Sequence, residues 1–174
     1  HMSATIQMVV IAAAILFAGG IAVGWFVAGG ITVGAALTVI ILGTDYMTSR
    51  ITTWLNPWDD PLDKGMQAIQ SLMAIGSGGV TGLGLGNGWL KYVAASDTDL
   101  VFGFVSEEWG LLVAVMMVLA IVTLAAFVVR SASLGRSSFY NISACAAVTI
   151  LMTQTILNVF GTVDILPLTG VTFP

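Results

Sequence analysis

Apolar segments alternate with one long polar stretch along this chain, and the pattern predicts several helices that cross a membrane. The apolar segments are charge-free over 2–44, 109–129 and 137–163. A helix of about 20 apolar residues crosses the roughly 30 Å hydrocarbon layer of a bilayer, and the first run is long enough for most of two crossings. We therefore predict about four transmembrane helices, over approximately 4–25, 27–48, 100–130 and 138–164.

The first apolar run has no sharp internal boundary, because glycine recurs along it. We expect the division between the first two helices near Gly29-Gly30 or slightly earlier, at Gly24-Trp25. Glycine and alanine at this density allow helices to approach closely in lipid, where small residues serve as the packing device.

A polar loop is predicted over 49–98, with a stretch rich in Trp and Pro at its start and a glycine-rich stretch, 76–86, in its middle. Residues 65–75 have helical periodicity, because four apolar side chains fall on one side and the polar side chains of Gln67, Gln70 and Ser71 fall on the other. This pattern predicts a short amphipathic helix that lies on the membrane surface.

The composition supports a membrane protein and excludes nucleic-acid binding. The chain is 57% hydrophobic and 8% charged, whereas a soluble domain has roughly 25% charged residues. The net charge is −4 at pH 7, and no basic patch is present that would hold a phosphate backbone. The predicted fold class is an all-α integral membrane protein, with residues 1–174 forming a single membrane domain.

The basic residues predict the orientation in the membrane. The short connection 131–137 follows Arg130 and contains Arg136, without any acidic residue. Short loops rich in Arg or Lys face the cytoplasm. This connection is therefore expected to be cytoplasmic, which places the 49–98 loop and both chain ends on the outer face.

Seven of the nine acidic residues lie between residues 50 and 108, which marks this region for chemistry. Asp99 precedes an apolar helix, so it is either a cap of that helix or a general base at the membrane interface. Its sequence context alone favours the cap. Glu107 and Glu108 are either an interfacial pair oriented to the loop or to water, or ligands of a divalent cation, which requires oxygen ligands.

The glycine-rich stretch also has two interpretations. It either exposes backbone amides to a phosphate or forms a flexible or tightly turned loop. No Gly-Lys-Ser/Thr ending follows it, which favours the loop.

Several spaced motifs then occur in one order, from about residue 50 to the end. They are Arg50 through Pro61, Gly65 through Gly79, Thr98-Asp99-Leu100, Glu107-Glu108-Trp109-Gly110 and Asn158 through Leu166-Pro167 to Pro174. Together these motifs resemble the SEDS family (shape, elongation, division and sporulation proteins). The Asn-Pro-Trp-Asp-Asp-Pro segment resembles the division and sporulation branch more than the elongation branch.

The resemblance implies a peptidoglycan glycosyltransferase of the bacterial inner membrane that polymerises lipid II, a disaccharide-peptide linked to undecaprenyl pyrophosphate. Family members have about ten spans and act with a class B penicillin-binding protein and other division proteins. The family's essential carboxylate maps onto Asp99, which makes a general base the favoured role. The accompanying candidates for substrate binding are Arg50, Lys64, Gln67, Ser71, Gly78, Gly79, Lys91 and Glu108. No metal ligands are assigned, and a divalent cation stays open as a cofactor.

The chain departs from the family pattern and covers only part of it. Ala94 through Asp97 stand where the family usually has Leu-Pro-Glu-x-His, and Met66 stands where a Tyr is usual. The family's earlier Gln-Pro-Asp-x-Gly-Thr motif and its later Ser-Tyr-Gly-Gly-Ser-like stretch would mostly lie outside the chain. We therefore expect a fragment of a larger protein that is inactive in isolation.

Two other functions stay open. A flippase for lipid-linked precursors would need a polar path across the bilayer, for which the predicted spans offer only Gln154, Asn158 and scattered Ser and Thr. Gln154 and Asn158 share a helix face and are otherwise expected to hydrogen-bond a neighbouring helix. A non-catalytic scaffold would recruit a penicillin-binding protein through its spans and would tolerate the loss of the Asp99 carboxylate.

Overall fold

The computed structural model describes residues 2–43, 45–134 and 137–174, and within them the chain is helical, without a β-strand. The α-helices, in chain order, are α1 (Met2–Ala18), α2 (Val23–Gly43), α3 (Asp45–Leu55), α4 (Met66–Gly78), α5 (Val101–Trp109), α6 (Leu111–Ser133) and α7 (Ser138–Thr162). Two short 3₁₀ turns, Pro57–Asp59 and Leu90–Tyr92, lie in the polar part of the chain. The predicted all-α class is confirmed.

Two of these helices have the length and composition to cross a membrane. The mean hydropathy is 3.0 for α6 and 1.6 for α7, and little of either helix is buried inside the protein. Shorter apolar stretches occur at Ala4–Ala18 and Val23–Ala36, in α1 and α2. The two further crossings predicted for residues 4–48 stay a prediction.

The division between α1 and α2 lies earlier than the glycine pattern suggests. Both predicted positions, Gly29-Gly30 and Gly24-Trp25, fall inside α2, so that prediction is wrong. The break occupies residues 19–22, where Gly20 has a φ of +85°. Glycine adopts this backbone conformation readily because it has no Cβ.

The single helix predicted over 100–130 is also wrong, because the chain breaks at Gly110. α5 ends at Trp109 and α6 begins at Leu111, and Gly110 between them has a φ of +87°. A Cβ at Gly110 would lie 2.6 Å from the backbone nitrogen of Gly82. The break therefore accompanies close docking of the glycine-rich stretch, a long-range contact that helical periodicity does not reveal.

The predicted polar loop, 49–98, folds against the long helices. α3 extends into it as far as Leu55, and α4 packs against both α5 and α7. A buried apolar cluster, with Phe104 and Leu168 packed against it, consists of Ala74, Leu90, Val93 and Leu100. This core joins α4, the Leu90–Tyr92 turn, the start of α5 and the segment after α7.

α4 is helical as predicted, but it does not simply lie on a surface. Its buried face is made of Ala68, Ile69, Ser71, Ala74 and Gly78. Small side chains at spacings of three and four allow a neighbouring helix to approach closely. Ser71, which was expected on the polar outer side, is fully buried, because this face packs against protein.

The connection between α6 and α7 is short, as predicted for 131–137. α6 ends at Ser133 and α7 begins at Ser138, and the two helices pack against each other. Arg136, which supports the cytoplasmic orientation, lies outside the described residues.

Candidate active site

A cleft of about 510 Å³ opens between α3, the start of α4 and the segment that follows α7. Its volume lies within the range of small-molecule sites, roughly 300–1,000 Å³. Cationic, amide, aromatic, carboxyl and apolar side chains line it, including Arg50, Lys64, Gln67, Trp54, Asp164 and Leu168. The cleft therefore combines positive charge with apolar surface.

Three of the predicted substrate-binding residues meet in this cleft. Arg50 Nη1 donates to the backbone oxygen of Leu168 at 3.1 Å. Lys64 Nζ donates to Ser49 Oγ at 2.9 Å, and Gln67 Nε2 donates to the backbone oxygen of Ala94 at 3.2 Å. Each side chain is thus held at the cleft by a contact with another part of the chain.

Asp99 lies in a turn just before α5 and is half-buried. Its backbone nitrogen donates to Ala95 O at 2.8 Å. The N-cap position of α5 is occupied by Leu100, and no side chain caps the helix. Among the described residues, no hydrogen bond to the Asp99 carboxylate is found, so a capping role is not what holds this side chain.

The Asp99 carboxylate and the cleft are connected by the segment 167–171, although Asp99 is not among the lining residues. Leu168 lines the cleft, whereas a Cβ at Gly170 would lie 3.3 Å from Asp99 Oδ2. Phe173 N, just beyond, donates to Thr98 O at 3.3 Å. One segment without helical structure therefore runs from the cationic cleft to the carboxylate.

Glu107 and Glu108 lie at the opposite end of α5 and are 2% and 5% exposed. Glu107 accepts two backbone hydrogen bonds of 2.9 Å, from Trp89 N to Oε1 and from Leu90 N to Oε2. Glu108 Oε2 accepts one from Gly86 N at 3.0 Å. These acids bind the backbone of the polar loop, so the predicted orientation to the loop is confirmed, whereas an orientation to water does not fit their burial.

The glycine-rich stretch is a tightly turned segment whose amides are largely used within the protein. The backbone nitrogens of Leu83 and Gly84 donate to the backbone oxygens of Glu107 and Glu108, at 2.9 and 3.0 Å. Gly82 N donates to Gly78 O at 2.8 Å. These amides are not directed towards a ligand, which favours the tight loop over a phosphate cradle.

The remaining predicted residues lie outside the cleft lining. Gly78 is buried against α5, where a Cβ would lie 2.7 Å from Glu107 Cα, while Gly79 is an exposed turn residue with a φ of +54°. Ser71 Oγ donates to Thr162 O at 2.8 Å, in the protein interior. Lys91 Nζ donates to Gly86 O and lies 5.1 Å from the centre of the Tyr92 ring.

Asp164 is a cleft residue that the sequence analysis missed. It follows α7, has a φ of +60°, and accepts a hydrogen bond at its backbone oxygen from Trp54 Nε1 at 3.2 Å. Partial burial raises the pKa of its carboxyl above the usual 3.8. In the sequence, Asp164 ends the charge-free run 137–163 and lies within the motif that begins at Asn158.

No group of three or more His, Cys, Asp or Glu side chains with metal-binding geometry occurs in the part of the chain that the structure describes.

Comparison with known proteins gives a match along the whole chain. The model of a family of cell cycle proteins, FtsW/RodA/SpoVE, matches residues 1–174. The chain belongs to the FtsW/RodA/SpoVE family.

Curated relatives in the FtsW/RodA/SpoVE family are longer than this chain. The probable peptidoglycan glycosyltransferase FtsW of Geobacter sulfurreducens is 33% identical over 175 residues, which cover 99% of this chain and 47% of that protein. Stage V sporulation protein E of Bacillus subtilis is 34% identical over 162 residues, which cover 91% of this chain and 44% of that protein. The chain thus spans about half the length of these relatives.

A solved structure shares the fold of this family member. The chain superimposes on part of a peptidoglycan synthase complex that coordinates polymerization and crosslinking, with a TM-score of 0.74 and 19% sequence identity. The match covers 100% of this chain and 48% of the other.

Proposed function

We propose that the whole protein that carries this chain is a peptidoglycan glycosyltransferase that polymerises lipid II in cell division. The family match along residues 1–174 and the glycosyltransferase activity for which the FtsW relatives are named support the reaction class. The observation that carries the proposal is Asp99, a half-exposed carboxylate with no hydrogen-bond donor among the described residues, next to a segment that leads to a cationic cleft.

In the proposed reaction, the 4-hydroxyl oxygen of the acceptor sugar attacks the anomeric carbon of the donor. The Asp99 carboxylate accepts the proton of that hydroxyl as a general base. The new glycosidic bond forms as the bond between the anomeric carbon and the pyrophosphate oxygen breaks. Undecaprenyl pyrophosphate leaves with the electron pair of that bond.

The cleft supplies partners for the departing pyrophosphate. Arg50 and Lys64 carry positive charge on its wall, and Gln67 adds an amide. Phosphate oxygens form short, charge-assisted hydrogen bonds with such cations. The negative charge of the leaving group would therefore be stabilised at the end of segment 167–171 that lies away from Asp99.

The proposed setting is the bacterial inner membrane. α6 and α7 have the length to cross it, and we place α1 and α2 in the bilayer as well, with residues 49–98 on the outer side. This arrangement brings Asp99 and the cleft to the face where a class B penicillin-binding protein would cross-link new strands. Other division proteins and membrane lipid complete the proposed partners.

The test is lipid II polymerisation by the whole protein, purified with its penicillin-binding partner. Asp99→Asn should abolish glycan strands without disturbing the complex, because the amide is not basic enough to take the proton. Asp97→Asn is the matched control, since Asp97 is an exposed carboxylate two residues away. Normal strand formation by Asp99→Asn would contradict the proposal and favour the scaffold, whereas scrambling of labelled lipid II by the same preparation would favour the flippase.

A further inference from the structure

We propose that Asn158, on α7, is a positioning residue for Asp99, an inference that rests on the function proposed above. Asn158 Nδ2 donates to Asp99 O at 3.0 Å and to Val171 O at 3.1 Å, and its third contact is with Thr98 O at 3.4 Å. The side chain is 2% exposed. One buried amide thus holds the turn that carries the carboxylate and the segment that faces it.

The contacts of Asn158 fix the backbone at Asp99 and leave its side chain unoccupied. The backbone nitrogen of Asp99 is already bonded to Ala95 O, and the Asn158 amide binds the backbone oxygen of the same residue. Both backbone groups of Asp99 are therefore held, while the carboxylate accepts no hydrogen bond from the described residues. A general base needs this combination of a fixed position and an open acceptor.

The same residue links the turn to the cleft. Val171, which Asn158 binds, belongs to the segment whose residue Leu168 lines the cleft and accepts the hydrogen bond of Arg50. A displacement of this segment would move both the cleft wall and the neighbour of the Asp99 carboxylate. Asn158 therefore controls the distance between the base and the proposed pyrophosphate site.

A buried polar network supports Asn158 from the other side. Thr162 Oγ1 donates to the backbone oxygen of Asn158, and Ser71 Oγ donates to the backbone oxygen of Thr162 at 2.8 Å. Ser71 and Thr162 are fully buried. The network ties α7 to α4, the helix on which Gln67 faces the cleft.

The chemistry of Asn158 favours recognition of the turn over simple packing. Its Oδ1 atom is buried and has no hydrogen-bond partner among the described residues, which carries a desolvation cost. An apolar side chain would avoid that cost but would leave the backbone oxygens of the turn without their donor. The two amide hydrogens, shared among three carbonyl oxygens, account for asparagine at this position.

The experiment measures lipid II polymerisation by the whole protein in complex with its penicillin-binding partner, for wild type, Asn158→Leu and Asn158→Ser. Asn158→Leu removes the donors, whereas Asn158→Ser keeps one and remains informative should the leucine variant not fold. Gln154→Leu is the matched control, because Gln154 is half-buried one turn earlier on α7 and, among the described residues, no hydrogen bond joins its side chain to the turn. Thermal unfolding is recorded for each variant, together with kcat and KM for lipid II.

We expect kcat to fall about 10- to 100-fold in Asn158→Leu and less in Asn158→Ser, since a small displacement of a catalytic group costs up to about 100-fold. KM should stay within about three-fold of wild type, and Gln154→Leu should retain its kcat. An unchanged kcat in both Asn158 variants would overturn the inference. The inference would also be overturned if kcat fell only in proportion to the fall in unfolding temperature across the variants, with KM changing to the same extent as kcat. Asp99→Asn, assayed in parallel, distinguishes the two failures. An active Asp99→Asn variant contradicts the proposed function, whereas an inactive Asp99→Asn variant together with unchanged Asn158 variants overturns the present inference alone.

Discussion

The two ends of α5 carry acidic residues in opposite environments. Glu107, at the end of the helix, is 2% exposed and accepts backbone hydrogen bonds on both carboxylate oxygens. Asp99, before the start, is half-exposed and accepts none from the described residues. A carboxylate whose acceptor sites are filled by the protein stabilises the fold, whereas one that is held by its backbone and left open is available to a substrate.

The largest expected effect is on activity, at the Asp99 end of α5. Asp99→Asn should lower the rate of strand formation by about 1,000-fold or more, equivalent to roughly 4 kcal/mol in the activation free energy. The unfolding temperature should stay close to that of wild type, because no described hydrogen bond depends on the carboxylate. Rates come from a strand-formation assay on the whole protein, with Asp97→Asn as the control.

At the Glu107 end of α5, the expected effect is on stability. Glu107→Gln replaces one carboxylate oxygen with an NH2 group, which cannot accept a hydrogen bond, so the bond from either Trp89 N or Leu90 N is lost. Hydrogen bonds to charged groups contribute about 1.5–3 kcal/mol each. We expect roughly 2–3 kcal/mol of destabilisation, measured by thermal or denaturant unfolding. Glu108→Gln should cost less, because only one oxygen of Glu108 is bonded. Equal losses in the two variants would contradict this assignment.

Close glycine packing should be the next most sensitive feature. Gly78→Ala adds a Cβ 2.7 Å from Glu107 Cα, and overpacking of this kind costs about 1–3 kcal/mol. Gly76→Ala, in the same helix, is the control, because its Cβ would meet nothing within 4 Å. A Gly78→Ala variant as stable as Gly76→Ala would show that α4 does not pack on α5 in this way.

The cationic cleft should affect substrate binding moderately. Lys64→Gln removes a charge from the cleft wall, and an exposed charge contributes up to about 1 kcal/mol, so KM for lipid II should rise about five-fold. Lys91→Gln removes an equal charge outside the cleft lining. Steady-state kinetics give KM for lipid II in both variants. An equal change of KM in Lys64→Gln and Lys91→Gln would contradict the cleft assignment.

The smallest expected effect concerns the pH dependence of stability at Asp164. Burial raises the pKa of this carboxyl in the folded state above 3.8, so its protonated form favours folding. The stability it contributes is present below about pH 3.8 and is lost as the pH rises through the raised pKa. Asp164→Asn, which suits the left-handed backbone, should remove this dependence, so unfolding temperatures of variant and wild type should diverge as the pH rises. Parallel curves would contradict the shift.

Much of the helical fold follows from the sequence, since the predicted span 138–164 and helix 65–75 correspond to Ser138–Thr162 and Met66–Gly78. These elements are set by local periodicity and by the ends of apolar runs. The break at Gly110 was not predictable in this way, because it accompanies the docking of the glycine-rich stretch on α5 and α6.

Part of the lining of the candidate cleft was anticipated from the sequence, while the roles of these residues in substrate binding stay a prediction. Arg50, Lys64 and Gln67 were candidates on the basis of their charge, their amide and their place in the motifs, and the fold brings them to one cleft. The sequence does not distinguish Glu107, which binds backbone, from Asp99, which does not, because both are acids beside an apolar helix. The contacts of Asn158 with Asp99 and Val171, and that of Asp164 with Trp54, join distant parts of the chain, so no local pattern reveals them.

The contrast between the Asp99 and Glu107 carboxylates is tested most directly by measuring turnover and thermal unfolding together for Asp99→Asn and Glu107→Gln in the whole protein. Our account predicts that Asp99→Asn loses strand formation and keeps its unfolding temperature. Glu107→Gln should unfold at a lower temperature and keep much of its turnover per folded molecule. A normal rate for Asp99→Asn, or a loss of turnover in folded Glu107→Gln as complete as that in Asp99→Asn, would contradict the division of roles between the two ends of α5.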